Sequence, residues 1–202
     1  MIKAIQLIFE PVSTWAKIGL DRKSIFQIFS FFLTPLIVLS VAAEVAGIFY
    51  LNKYRNPNGL LTIPRTRLFE YIGAEFFGSF LMVFVAALVL RSLARSFHPR
   101  HTYAQCFTLA AYAYSPLFLV RMLDAIPPIN PWATFALGIL LTVATVYYGV
   151  PAALQPDPPN AFGIYLMSAL LIAGIAGIFR LLTLLLLAGK LKILNADALY
   201  NY

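Results

Sequence analysis

Long, continuous runs of apolar residues, separated by short polar segments, form the main pattern along this chain. Five of these runs reach or approach the roughly 20 residues that an α-helix needs to cross the hydrocarbon core of a bilayer. The strands of a membrane β-barrel would instead alternate apolar and polar residues over short segments. The pattern therefore predicts an all-α integral membrane bundle with five transmembrane helices. The predicted spans cover residues 26–51, 71–93, 105–123, 132–150 and 162–188.

Composition supports the membrane class and argues against a separate soluble domain. Hydrophobic residues make up 61% of the 202 residues and charged residues only 11%, whereas a soluble domain is about half apolar and about a quarter charged. We therefore expect one five-span membrane domain over residues 26–188. A short N-terminal segment, residues 1–25, precedes this domain, and a C-terminal tail, residues 189–202, follows it.

The N-terminal segment, residues 1–25, combines apolar residues at helical spacing with basic residues around them. This pattern is typical of one or two short amphipathic helices in the membrane interface, and it makes Trp15 a candidate anchor at headgroup depth. A loosely ordered basic tail is the alternative interpretation. The segment is polar toward its end and has no small-residue cleavage site, so we expect it to stay on the mature protein.

Basic residues bear on the orientation and the partners of the protein. Cytoplasmic loops are enriched in Lys and Arg, and two basic regions on one side of a five-span bundle predict a cytoplasmic N-terminus. The loop between the first two spans is also basic and opposes this bias. The net charge of +7 suits anionic lipid headgroups, so membrane lipids are expected partners and nucleic acid is not. The two regions that favour a cytoplasmic N-terminus contain Lys3, Lys17, Arg22, Lys23, Arg91, Arg95 and Arg100. The opposing loop contains Lys53, Arg55, Arg65 and Arg67.

The sequence contains no standard catalytic or cofactor motif. A glycine-rich phosphate loop, a nucleophile elbow and a zinc-protease helix motif are all missing. His98 and His101 lie near Cys106, but these three residues lack the ligand number and spacing of a usual zinc site. We interpret the histidines as ordinary interfacial residues and expect no catalytic residue, metal or cofactor. With a single cysteine, an intramolecular disulfide is impossible.

Ionisable residues inside the predicted spans are the main candidates for a functional site, because a charge at membrane depth is costly and usually faces the bundle interior. Glu44, Glu75 and Arg180 lie at similar depth, next to the loop between the first two spans. Small residues, which mark close helix packing, stand three or four positions from each of them. We predict that these three side chains meet inside the bundle, with Arg121 and Asp124 at the rim of the cluster.

Two interpretations of this predicted cluster are open. In the structural interpretation, Arg180 bridges one or both glutamates and holds three helices together, which avoids an uncompensated buried charge. In the transport interpretation, the spare carboxylate takes up a proton or a cation on a pathway through the bundle. One cluster in one leaflet does not make a pathway, and this favours the structural interpretation.

Proline and tyrosine form the other recurrent signal in the spans. Pro35 and Pro116 each remove a helical hydrogen bond and are expected to bend the first and third spans. Tyr112 lies one turn before Pro116, and we assign it to helix packing. Hydroxyl groups near the kinks can satisfy the carbonyls that the prolines leave unpaired. Tyr147 and Tyr148, near the end of the fourth span, are expected in an aromatic belt at the interface.

Aromatic, proline and glycine residues also recur in short segments along most of the chain. These segments are Phe9-Glu10-Pro11 with Trp15, Arg95-Ser96-Phe97-His98-Pro99, Tyr112-Ala113-Tyr114-Ser115-Pro116, Ile126-Pro127 with Trp132, and Tyr147-Tyr148-Gly149-Val150-Pro151. Their placement resembles the Yip family, whose members are five-span membrane proteins named for interaction with Ypt/Rab GTPases. The segments around Trp15 and Arg95 are similar to short bacterial inner-membrane members.

The resemblance implies the fold more directly than the role. Eukaryotic members have a long cytosolic N-terminal region with an Asp-Leu-Tyr-Gly-Pro motif and act in vesicle traffic. This chain has about 25 residues before its first predicted span and lacks that motif. The resemblance therefore implies five spans in a bacterial inner membrane, and it does not imply a Rab-type partner.

Two functional hypotheses follow from these observations. The first is a non-enzymatic Yip-type membrane protein that organises or adapts membrane components or trafficking-like processes. Such a protein would associate with itself or with other membrane proteins through small-residue helix faces. The alternative is a small transporter, channel or lipid-moving protein that uses Glu44 and Glu75.

Overall fold

The computed structural model of the protein describes residues 2–21, 23–51, 54, 63–97, 101–156 and 161–191. Within these ranges two short helices come first and longer helical segments follow. The helices are α1 (Ile2–Phe9), α2 (Pro11–Asp21), α3 (Ile25–Phe49), α4 (Arg65–Phe97), α5 (Tyr103–Ala113), α6 (Ser115–Arg121), α7 (Pro131–Leu154) and α8 (Ala161–Leu187), and a 3-10 turn, Met122–Ala125, follows α6.

Five helical segments have the length and hydropathy of membrane spans. They are α3, α4, α7, α8 and the segment Tyr103–Ala125, in which α5, α6 and the 3-10 turn follow one another. The predicted all-α membrane bundle with five spans is confirmed. The third of these spans is the central one, because 78% of its most apolar stretch is buried inside the protein, against 33–39% in the other four spans.

Small side chains allow the third span to occupy the centre of the bundle. Ala110, Ala111 and Ala113 of α5 are fully buried, and such residues let neighbouring helices approach closely. Phe107 and Phe118 are also fully buried and fill the space between the surrounding helices. The core of the protein is therefore built around α5 and α6, with α3, α4, α7 and α8 as its outer wall.

Both prolines in the spans lie at breaks in the regular α-helix. Pro116 stands at the start of α6, and the Ser115 hydroxyl donates a hydrogen bond of 2.7 Å to the Tyr112 carbonyl, the group that Pro116 leaves without its helical donor. Pro35 follows a π-helical turn, Phe29–Leu33. There the Phe29 carbonyl accepts from both the Thr34 backbone N–H and the Thr34 hydroxyl, the latter at 2.8 Å.

Two of the helices extend beyond the apolar runs from which their spans were predicted. The second predicted span, 71–93, lies within α4. The helix extends beyond this apolar run at both ends, where its residues are more polar. The fourth predicted span ends at residue 150, but α7 continues through Pro151 to Leu154. Its C-cap, Gln155, is in the left-handed region, with φ of 46°.

Some residues named in the sequence analysis lie outside the described residues. They are most of the predicted C-terminal tail, Arg22, Lys53, Arg55, His98, Pro99 and Arg100.

The N-terminal helices α1 and α2 pack against the bundle, and this corrects the interpretation of Trp15. Its side chain is 1% exposed, and its indole N–H donates to the Thr145 carbonyl of α7 at 3.1 Å. A Cβ added at Gly149 would lie 2.5 Å from the Trp15 ring, so the glycine makes room for the indole. Trp15 joins α2 to α7 inside the protein and is not an anchor in the lipid headgroups.

Candidate functional site

A group of buried charged residues lies at the end of the bundle where α3 ends and α4 begins. We call it the charge cluster, and it consists of Glu44, Glu75, Arg121, Asp124 and Arg180. These side chains come from α3, α4, the end of α6, the 3-10 turn and α8 respectively. All five residues are between 0% and 7% exposed, so their charges face one another and not the surrounding bilayer.

Two guanidinium groups join the three carboxylates of the charge cluster. Arg121 Nη2 lies 2.5 Å from Glu75 Oε2 and 3.4 Å from Glu44 Oε2. Arg180 Nη1 lies 3.2 Å from Glu75 Oε1, and its Nη2 lies 2.7 Å from Asp124 Oδ2. Glu75 is therefore held between both arginines, whereas Glu44 has the longest ion pair of the group.

Hydroxyl and carbonyl groups complete the coordination of these charges. The Tyr71 hydroxyl donates to Glu44 Oε1 at 2.5 Å, and the Thr134 hydroxyl donates to Asp124 Oδ1. Arg180 Nη2 also donates to the Pro131 carbonyl at 3.3 Å. Thr134 and Pro131 belong to α7, so the charge cluster connects all five spans. Neither Tyr71 nor Thr134 was predicted, although Tyr71 stands one helical turn before Glu75.

The structure brings Glu44, Glu75 and Arg180 together and places Arg121 and Asp124 differently from the prediction. Both were expected at the rim, but Arg121 bridges two glutamates and Asp124 is fully buried. The 3-10 turn causes this difference, because it carries Asp124 beneath the end of α3. Gly47 permits the approach, since a Cβ added there would lie 2.5 Å from Ala125 Cα.

The charge count leaves one carboxylate in excess when every group is ionised. Three acids face two arginines, and a buried charge without compensation is costly. Tyr54, in the connection between α3 and α4, lies over this end of the bundle. Burial, and to a lesser extent the nearby Glu44 carboxylate, raises the pKa of Tyr54 to about 12, so its phenol stays neutral at physiological pH.

The space next to the charge cluster is small. A cavity of about 20 Å³ borders Glu75, Arg121 and Arg180, which is room for one water molecule. The side-chain Nε atoms of both arginines are buried and face no acceptor among the described residues. A volume of this size does not hold a hydrated cation, so the cavity is part of a packed interior.

The remaining predicted site residues lie away from the charge cluster. Tyr112 is 2% exposed and packs between the rings of Trp15 and Phe32, with centroid distances of 6.1 Å and 4.3 Å. The Tyr114 hydroxyl donates to the Ile172 carbonyl of α8 at 2.8 Å. Tyr148 is exposed on the outer surface, as an aromatic belt requires. Gly149 and Pro151 of α7 border α2, and Pro35 and Pro116 lie at the helix breaks described above.

The described part of the chain contains no candidate metal site. No group of three or more His, Cys, Asp or Glu side chains with the geometry of a metal site occurs there. Cys106 and His101 are both buried near the start of α5. His98, the other histidine of the predicted trio, lies outside the described residues.

The fold and the charge cluster define an α-helical integral membrane protein in which buried ion pairs join five spans. A family model described as the Yip1 domain matches residues 5–181. The chain therefore belongs to the Yip1 domain family, and the resemblance that the sequence predicted is confirmed. No curated protein and no solved structure matches the chain significantly.

Proposed function

We propose that this protein is a non-enzymatic member of the Yip1 domain family that organises or adapts other membrane components. It acts in a bacterial inner membrane with its N-terminus in the cytoplasm, and its partners are other membrane proteins or further copies of itself.

One observation carries this proposal. The five residues of the charge cluster are bonded to one another and to hydroxyl and carbonyl groups, and these bonds connect every span. Such a network fixes the relative positions of helices and leaves little room for a permeating ion. The outer surface of a rigid bundle is then the part of the molecule that remains available for a function.

The outer face of α8 supplies the contact surface in this proposal. A Cβ added at Gly174 or Gly177 would meet nothing within 4 Å, so backbone is open to a neighbouring helix at these positions. Leu170 and Ile178 flank the glycines and are 62% and 60% exposed. Small residues beside larger apolar ones allow close helix packing in membranes.

Cross-linking in native membranes tests this contact surface. With Gly174→Cys, a short thiol cross-linker is expected to give adducts larger than the single chain, because a partner helix packs against this face. The native Cys106 is fully buried and does not compete for the reagent. Leu140→Cys is the matched control, since Leu140 is 68% exposed on α7 and its face carries alanines, Ala136 and Ala144, but no glycine. If cross-linking gave only the monomer for both variants, the proposal would be contradicted.

Proton transport is the second candidate function, and Glu44 is the observation that favours it. Its carboxylate has the longest ion pair in the charge cluster, 3.4 Å. The cluster has one more carboxylate than guanidinium groups, and protonation of Glu44 is therefore the easiest way to remove the excess negative charge. A carboxyl group that gains and loses a proton at membrane depth is a common element of transporters.

Glu44→Gln separates the two functions. The amide oxygen can still accept from Tyr71, so we expect the free energy of unfolding to change by no more than about 1 kcal/mol. Proton flux into proteoliposomes is then measured for the wild type, for Glu44→Gln and for Glu44→Gln with Glu75→Gln. We expect no flux above protein-free vesicles for any of them. Wild-type flux that disappears in the glutamine variants would instead assign the protein to the transport class.

A further inference from the structure

A second polar region lies at the opposite end of the bundle from the charge cluster. Two adjoining cavities of about 390 Å³ and about 350 Å³ lie where α2 and α7 end and where α3 and α5 begin. Lys23, Ile28 and Tyr112 line both of them. We call the combined space the headgroup chamber. It is far larger than the cavity at the charge cluster, and it is reached from the surface.

The charge of the headgroup chamber is positive. Lys23 borders both cavities and Lys3 borders the second. Among the described lining residues the one acid is Asp21, whose Oδ2 lies 2.6 Å from Lys3 Nζ in an ion pair. The Lys3 ammonium lowers the pKa of Asp21, so this pair persists at neutral pH. Lys23 is then the cation that a negatively charged ligand would meet.

Hydrogen-bond donors also face this space. Gln27 and Gln105 line it, and each uses its Oε1 in the capping box at the start of α3 or α5, so the amide Nε2 of each side chain remains available as a donor. Tyr112 is 2% exposed and lines both cavities, and its hydroxyl makes no hydrogen bond to the described residues. A phenol that borders both cavities and has no acceptor among the described residues can donate a hydrogen bond to a ligand oxygen.

One side of the headgroup chamber is apolar and exposed. Ile2, Phe31 and Phe32 form the apolar part of the second cavity, and Ile2 and Phe31 are 73% and 77% exposed on the outer surface of the bundle. A ligand that fills this space therefore needs an anionic part for Lys23 and an apolar part that continues along Phe31. A glycerophospholipid has both parts.

We propose that the headgroup chamber binds the headgroup of an anionic glycerophospholipid, with its phosphate at Lys23 and Tyr112 and an acyl chain along Phe31. Basic pockets between membrane helices recognise anionic headgroups in this way. The two helices that begin at the chamber add the positive ends of their dipoles to the field of Lys23. This inference goes beyond the proposed function and does not depend on it.

Native mass spectrometry of the full-length protein tests the lipid site. The purified protein is incubated with phosphatidylglycerol or with phosphatidylcholine of the same acyl chains, and the retained lipid is counted. We expect preferential retention of phosphatidylglycerol, and about a tenfold loss of its affinity in Lys23→Gln, because one charge-assisted bond is removed. Tyr112→Phe removes only the hydroxyl and is expected to weaken retention about threefold.

Lys17→Gln is the matched control, because Lys17 lies on α2, is exposed and borders neither cavity. The Lys17→Gln variant is expected to retain as much phosphatidylglycerol as the wild type. Thermal unfolding checks that all three variants keep their fold. Equal retention of the two lipids, or equal losses in Lys23→Gln and Lys17→Gln, would overturn the site. Displacement of the lipid by excess glycerol phosphate would overturn the assignment to a membrane lipid in favour of a free phosphate.

Discussion

Arg180→Met is expected to lower the free energy of unfolding by about 3–5 kcal/mol. The guanidinium of Arg180 contacts Glu75, Asp124 and the Pro131 carbonyl. Methionine fills a similar volume but removes the positive charge and every one of these bonds. Glu75 and Asp124 would each lose a guanidinium partner inside the protein, and the cost of burying their charges would be offset less completely.

Equilibrium unfolding in mixed micelles measures this loss. Arg95→Met is the matched control, because Arg95 lies exposed near the end of α4 and its removal is expected to cost less than about 1 kcal/mol. Arg180→Lys should fall between the two variants, since one ammonium cannot serve Glu75 and Asp124 with the fork geometry of a guanidinium. Equal stability of the Arg180 and Arg95 variants would show that the charge cluster contributes nothing to the fold.

Gly47→Val is expected to have the second-largest effect, a loss of about 3 kcal/mol. Any side chain at this position meets the Ala125 backbone, with 2.5 Å between the added Cβ and Ala125 Cα. Backbone cannot move aside as a flexible side chain can, so α3 must shift away from the 3-10 turn. Glu44 lies one helical turn before Gly47, and the shift would therefore also lengthen the contact between Glu44 and Arg121.

Gly73→Val provides the comparison for this steric prediction. Gly73 lies on α4, and a Cβ added there would meet nothing within 4 Å. Valine has a higher helix propensity than glycine, so this variant should be as stable as the wild type or slightly more stable. Similar losses for both variants would indicate that helix propensity, and not contact with the turn, determines the tolerance at position 47.

The sequence predicted the bundle well because bilayer thickness imposes a simple rule of length on apolar runs. It also predicted that Glu44, Glu75 and Arg180 lie together, because counting residues from the nearer end of each span gives similar depth for all three. It could not predict the central position of Asp124. That position depends on a 3-10 turn, and turns leave no apolar periodicity from which their direction can be derived.

Trp15 illustrates a second limit of sequence reasoning. An amphipathic helix has the same pattern whether its apolar face meets lipid or protein, and only the complementary space at Gly149 decides between these environments. The partners Tyr71 and Thr134 were missed for a related reason. Hydroxyl side chains occur throughout membrane helices, and their pairing with a carboxylate becomes evident only when the helices are placed side by side.

The central position of the third span has a consequence for how the protein is made. This span has the lowest mean hydropathy of the five, 1.4 against values between 1.7 and 2.5, although it is surrounded most completely by other helices. When it leaves the ribosome, it therefore partitions into lipid less favourably than the spans before and after it. Two of the spans around it are synthesised later, so we expect its stable insertion to depend partly on them and the insertion of this chain to be cooperative.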